Sequence, residues 1–166
     1  MNWQNAVTDL ISGKDRIVIL GIGNIRKGDD AAGAVCADSL VNKLGKSIPP
    51  HVKIINGGET PENYTGDIRR FKPARVIMID AVIAGNEPGT IFIADPKKIE
   101  NTDVSTHRMS LSMLYRFLEE SIGSQVLMIG IEPERVDLDM DISKSVQNSI
   151  ELLVNHLIKL ISSNNK

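Results

Sequence analysis

Five polar side chains stand where this chain could do chemistry: Asp29, Asp30, Asn56, Asp80 and His107. Asp29 and Asp30 follow the apolar run Ile17 to Leu20, after a turn through Gly21, Gly23 and Asn24, where Gly and Asn tolerate positive φ. Asp80 closes a second apolar run, Arg75 to Ile79, and His107 stands just before a helical pattern. Two carboxylates and an imidazole suit an open site for a borderline divalent cation, and a carboxylate can also take a proton from water. Each residue has an ordinary alternative role: Asp30 as a helix cap, Asp80 as a turn former, His107 as a surface residue at a helix start. Their common address at strand ends matters, because ligands of open α/β sheets bind at that rim.

Other chemistries are opposed by the residues. Gly21-Ile22-Gly23 begins a dinucleotide fingerprint, but the third glycine position holds Arg26 and the acid expected after the second strand is Asn56. The close helix approach and the ribose contact are therefore expected to be missing, and no nucleotide is expected. There is no P-loop, no G-x-S-x-G elbow and no H-E-x-x-H. Cys36, between Val35 and Ala37 in a helical pattern, reads as a packing residue, and a lone cysteine allows neither an internal disulfide nor a Cys-rich zinc site. His51 is expected at the surface and His156 on the flank of the last helix. A formal charge of -2 opposes a nucleic-acid partner bound through its phosphates. No apolar stretch approaches the ~18 residues of a membrane span, and Met1 to Gly13 has no signal-like apolar run. A cytoplasmic protein without membrane insertion is expected.

The elements that must position these residues follow from periodicity. A short helix is expected over Asn2–Ser12, a strand over Arg16–Leu20, and a helix from Asp30 to Leu44 with Ala37, Leu40, Val41 and Leu44 inward. Val52–Ile55 is the second strand. Thr60-Pro61-Glu62 opens a helix that ends at Phe71. The third strand is Arg75–Ile79. A fourth, Thr90–Ala94, follows a short link that suits an antiparallel neighbour or a one-strand excursion. A helix over Met109–Ile122 should bury Leu111, Leu114, Leu118 and Ile122. The strand Val126–Ile131, an acid-rich loop over Glu132–Met140 and a helix over Ile142–Ile161 complete the chain. That last helix carries Val146, Ile150, Leu153, Leu157 and Leu160 inward. Such alternation predicts one α/β domain over residues 1–166: a three-layer, doubly wound, mostly parallel twisted sheet of about five strands with helices on both faces.

The segments GIGNIRKGDDAAG, NGGETPENYTGDIRRFKP, VIMIDAVIAGNEPGTIFIADP, STHRMSLSML and MIGIEPERVDL, taken in order, resemble the hydrogenase maturation proteases, in the branch serving energy-converting hydrogenases of the formate-hydrogenlyase type. The resemblance runs from about Arg16 to Val154. It implies a doubly wound fold and an aspartyl-type endopeptidase that removes a C-terminal extension from the precursor of a nickel–iron hydrogenase large subunit after nickel insertion. It places the metal-contacting positions on Asp30, Asp80 and His107, with Asp30 and Asp80 as catalytic candidates, and substrate recognition on Asn56, Gly57 and Gly58. The nickel would arrive with the substrate, and a surrogate divalent cation could take its place in crystals. The family usually has Asp at position 56. Either a metal polarises the scissile carbonyl or Asp30 or Asp80 serves as base for water. A non-proteolytic metal-sensing chaperone of the same large subunit is the alternative.

Overall fold

Five strands form one sheet in the order β2-β1-β3-β5-β4; the computed structural model describes residues 1–99 and 109–164. Its strands are β1 (Ile17–Ile22), β2 (Val52–Gly58), β3 (Arg75–Ala81), β4 (Ile91–Ile93) and β5 (Gln125–Ile131). The helices are α1 (Trp3–Ile11), α2 (Ala32–Leu44), α3 (Thr65–Phe71), α4 (Leu111–Arg116) and α5 (Lys144–Ser163). β1 pairs in parallel with both β2 and β3, and β3 pairs in parallel with β5. Only β4 runs antiparallel, against β5. The expected α/β class and three-layer arrangement are therefore observed. Of the two options for the fourth strand, the excursion is realised: β4 passes over β3's neighbour and pairs on the outer edge.

The three layers follow from side-chain alternation. Successive residues of a strand face opposite sides. Ile17, Ile19, Ile77, Ile79, Ile129 and Ile131 pack with α1, α2 and α5. Val18, Leu20, Val76, Met78 and Met128 pack on the other face with Ile68 of α3, Leu114 of α4 and Leu118 of the turn that follows α4. Strands buried on both faces read as continuous apolar runs, which is why β1, β3 and β5 are visible in the sequence.

Several boundaries differ from expectation for local reasons. The turn carrying Asp29 and Asp30 is a 3-10 turn over Gly28–Ala31 that precedes α2 rather than its first α-helical turn. Another 3-10 turn, Pro61–Tyr64, precedes α3, and Thr60 makes no capping bond to its backbone. Beyond Arg116 the α4 helix widens into a π-helical turn over Phe117–Ile122, closed by left-handed Gly123. Leu111 and Ile122 are only half-buried. Val41 is exposed, because the buried arc of α2 is centred on Gly33, Cys36, Leu40 and Leu44. In α5 the last inward residue is Ile161, with Leu160 half-buried beside it. His51 is half-buried. His156 meets the Trp3 ring edge-on at 5.3 Å, so it packs α5 onto α1. Among the described residues no helix is long and apolar enough to cross a membrane.

Candidate active site

The strand order reverses at β1: the chain moves from β1 outward to β2, then returns to β3 on β1's other side. The crevice above such a reversal is the ligand position of doubly wound sheets. Asp30 follows β1 and Asp80 lies near the end of β3, so the two acids flank it.

Close backbone contact sets the start of α2 against β1 and β3. α2 rides so low on the sheet that a Cβ on Gly33 would meet the carbonyl oxygens of Ile79 and Ile22, and would stand 2.6 Å from the Ile22 nitrogen. Gly21 faces the same contact from below, against the Gly33 carbonyl and 2.8 Å from the Ala37 Cβ. The close helix approach that Arg26 was expected to abolish is thus made after all. It is made seven residues further on, at Gly33. This contact anchors the start of α2 beside Ile79, and the preceding 3-10 turn touches β3. The turn that carries Asp30 therefore lies beside the end of β3 that carries Asp80.

Asn24 organises the turn around Asp30. Its backbone N–H donates to Asp30 Oδ2 at 3.0 Å. Its side-chain oxygen accepts from the Arg26 N–H at 2.8 Å, and its Nδ2 donates to Glu59 Oε1 at 2.7 Å. Among the described residues the left-handed ones outside glycine are Lys72 and Asp139, and Asn24 is not one of them. Its value here is hydrogen bonding, not a permissive φ. Gly21, also expected to break the strand, lies inside β1. The sharp turn is made at Gly23, with φ +148, whose N–H donates to the Gly58 carbonyl at 2.9 Å.

Asp80 is buried, at 8% exposure. By alternation it shares the sheet face of Val76 and Met78, toward α3 and α4. Its cross-strand partner is Gly130, whose other partner is Phe92 of β4. The Phe92 ring occupies the space a Gly130 side chain would need, with ring atoms 2.7 to 3.1 Å from the Cβ position. An aromatic wall therefore stands two strands from Asp80 on the same face.

The three predicted recognition residues divide. Gly57 is buried against Leu20 and Pro61, and Gly58, paired with Ile22, is open above its Cα. Asn56 turns to the other face of the sheet. Its Nδ2 donates to Asp38 Oδ1 of α2 at 3.0 Å, and its Oδ1 accepts from the Gly58 N–H at 3.0 Å. An Asp at position 56 would set a second carboxylate against Asp38, so the amide is the fitting residue for this chain. His107 lies outside the described residues. Among the described residues, no three His, Cys, Asp or Glu side chains form a ligand set.

Asp29, neighbour of Asp30, is fully buried. Its carboxylate accepts from the N–H groups of Glu134 (2.8 Å), Arg135 (3.1 Å) and Ser143 (2.7 Å), and from the Ser143 hydroxyl (2.8 Å). Burial by itself pushes this carboxyl upward. The Ser143, Glu134 and Arg135 donors outweigh burial and hold it below the usual carboxylate value. Glu132, expected only as part of an acid-rich loop, is also buried. It accepts from the N–H groups of Ala84, Gly85 and Asn86 and from Asn86 Nδ2. Cys36 is buried and its thiol is pushed up to about 12 by burial, which fits a packing residue and not a nucleophile.

A family model for hydrogenase maturation proteases matches residues 39–160. The chain belongs to the hydrogenase maturation protease family. The protease is 34% identical over 141 residues to the hydrogenase 3 maturation protease of Escherichia coli K12, covering 84% of this chain and 87% of that one. Its fold is similar to the crystal structure of a nickel–iron hydrogenase maturation protease, HycI, from Thermococcus kodakarensis. That match has a TM-score of 0.81 and 41% identity, covering 96% of this chain and 99% of the other. The solution structure of the endopeptidase HycI from Escherichia coli superposes with a TM-score of 0.69 at 32% identity, over 84% of this chain and 86% of that one. The protease is accordingly a hydrolase of peptide bonds.

Proposed function

We propose that this protease is a cytoplasmic endopeptidase that removes the C-terminal extension from the precursor of a nickel–iron hydrogenase large subunit, and that nickel already held by the precursor is gripped by Asp30, Asp80 and His107. The observation that supports it is the pair of acids flanking the crevice where the strand order reverses. Oxygen donors from two carboxylates leave an open face, as a cation carried by another protein requires.

Hydrolysis needs a water aligned on the scissile carbonyl and a group to take its proton. Asp30 or Asp80 supplies a carboxylate oxygen for that proton. The C–N bond then breaks as the proton passes to the leaving amine. Gripping nickel from the enzyme side would place the scissile bond above the crevice, so cleavage would report on nickel loading. Gly58, open above its Cα, leaves the neighbouring rim accessible to an extended peptide.

The test is to mix the purified protease with nickel-free and nickel-loaded precursor and follow the large-subunit mass. Cleavage of the loaded form alone is expected. Equal cleavage of both would refute nickel sensing. Tight binding of the loaded precursor with no released peptide would replace the endopeptidase with the metal-sensing chaperone.

A further inference from the structure

We propose that Asp29 and Ser143 are positioning residues for Asp30, forming a latch that sets the acid-bearing turn against the loop after β5. The proposal rests on the reading of Asp30 as a working acid of the crevice.

Asp29 and Asp30 share one 3-10 turn of four residues, so displacement of one displaces the other. Downstream, the turn is held by the contact of Gly33 with β1 and β3. Upstream, the only carboxylate in the turn besides Asp30 spends both its oxygens on the segment 134–143. That segment answers with its own backbone. The Asp29 N–H donates to the Arg135 carbonyl at 2.8 Å, the Gly28 N–H to the Met140 carbonyl at 3.1 Å, and the Asp139 N–H to the Arg26 carbonyl at 2.7 Å. Ser143 fixes the far side, because its hydroxyl donates to Asp29 and also accepts from the Val146 N–H as the N-cap of α5. The latch thereby ties Asp30 to a long helix rather than to a loose loop. A carboxylate with no exposed surface and four donors converging from residues more than 100 positions away is far more than a 3-10 turn needs to form. Catalytic groups lose about 100-fold when misplaced by about 1 Å, so such investment is what an acid beside the reacting bond calls for.

The test uses Asp29→Asn, Ser143→Ala and the conservative Ser143→Thr in the full chain, with two readouts. The first is cleavage of nickel-loaded precursor, well below the melting temperature of each variant. The expected result is a fall in kcat of about 100-fold for Asp29→Asn and about fivefold for Ser143→Ala, with KM within twofold, and recovery in Ser143→Thr. The second is the NMR amide shift of Asn24, whose N–H donates to the Asp30 carboxylate. It should move in Asp29→Asn and Ser143→Ala and return in Ser143→Thr. Should Asp29→Asn fail to fold, the two Ser143 variants carry both readouts. Variants that melt lower but keep wild-type kcat and an unmoved Asn24 amide would overturn the latch, as would a rise in KM alone. Wild-type protease that cleaves no precursor, while the Asn24 amide still moves, would sink the endopeptidase reading and leave the latch standing.

Discussion

Two buried carboxylates, Asp29 and Glu132, hold loops at the same rim, yet they work over different distances. Asp29 draws donors from Glu134, Arg135 and Ser143, and so joins the turn after β1 to the N-terminus of α5. Glu132 gathers three successive N–H groups, Ala84, Gly85 and Asn86, from the link that follows β3. The first bond set connects elements that each pack in the core. The second shapes one exposed link, whose Ile83 faces solvent. The contrast teaches that a buried acid's contribution depends on what its donors belong to. Asp29 is part of the global fold, whereas Glu132 governs a local one.

Substitutions should separate the two. Asp29→Ala leaves buried donors without an acceptor and should lower unfolding free energy by about 3–5 kcal/mol in chemical denaturation. Glu132→Gln should lower it by about 1–3 kcal/mol. Its signature is faster hydrogen exchange at Ala84, Gly85 and Asn86 with little change in β1 or β3. An equal global loss from both variants would erase the distinction. Acid should act through Asp29. Its carboxyl is held below the ordinary value, so its stabilisation is complete above about pH 4 and drains away as pH falls through the lower folded value. Wild type should therefore lose more stability than Asp29→Asn on going from pH 5 to pH 2, measured as the shift in denaturation midpoint. Asn86→Ala, which removes one side-chain donor to Glu132 at 3.3 Å, should change stability by only about 0.5–1 kcal/mol. Cys36 offers a gauge for the whole series. Buried in α2 with its thiol raised to about 12, it should resist alkylation at pH 8 in wild type and in Glu132→Gln, and react faster in Asp29→Ala.

Much of this architecture is legible from the chain, and the rest has identifiable physical reasons for staying hidden. β1 and β3 read out because strands covered on both faces are unbroken apolar runs. Asp30 and Asp80 read out as rim acids because they follow those runs. Asp29 reads out only as a polar residue after β1 and not as a buried anchor, since its partners lie 105 to 114 residues away and periodicity carries no long-range pairing. Glu132 was hidden in the same way among the acids of its loop. Gly33 was visible as a glycine, but its purpose depends on carbonyls of two different strands. The edge position of β4 depended on pairing Phe92 with Gly130, a match of ring to empty space that neither segment announces alone. Val41 failed as a core residue because helical spacing gives the width of a stripe less surely than its centre.

α5 runs about 30 Å from the latch at Ser143 to Asn164. There the Asn164 side-chain amide donates to the Ile11 carbonyl at 2.8 Å, beside the Arg75 guanidinium at the opposite end of β3. The helix is therefore a strut whose two ends mark opposite poles of the molecule. A fluorophore, bead or surface tether coupled near Asn164 would sit at the pole remote from Asp30 and Asp80, leaving a bulky protein substrate free to approach the other.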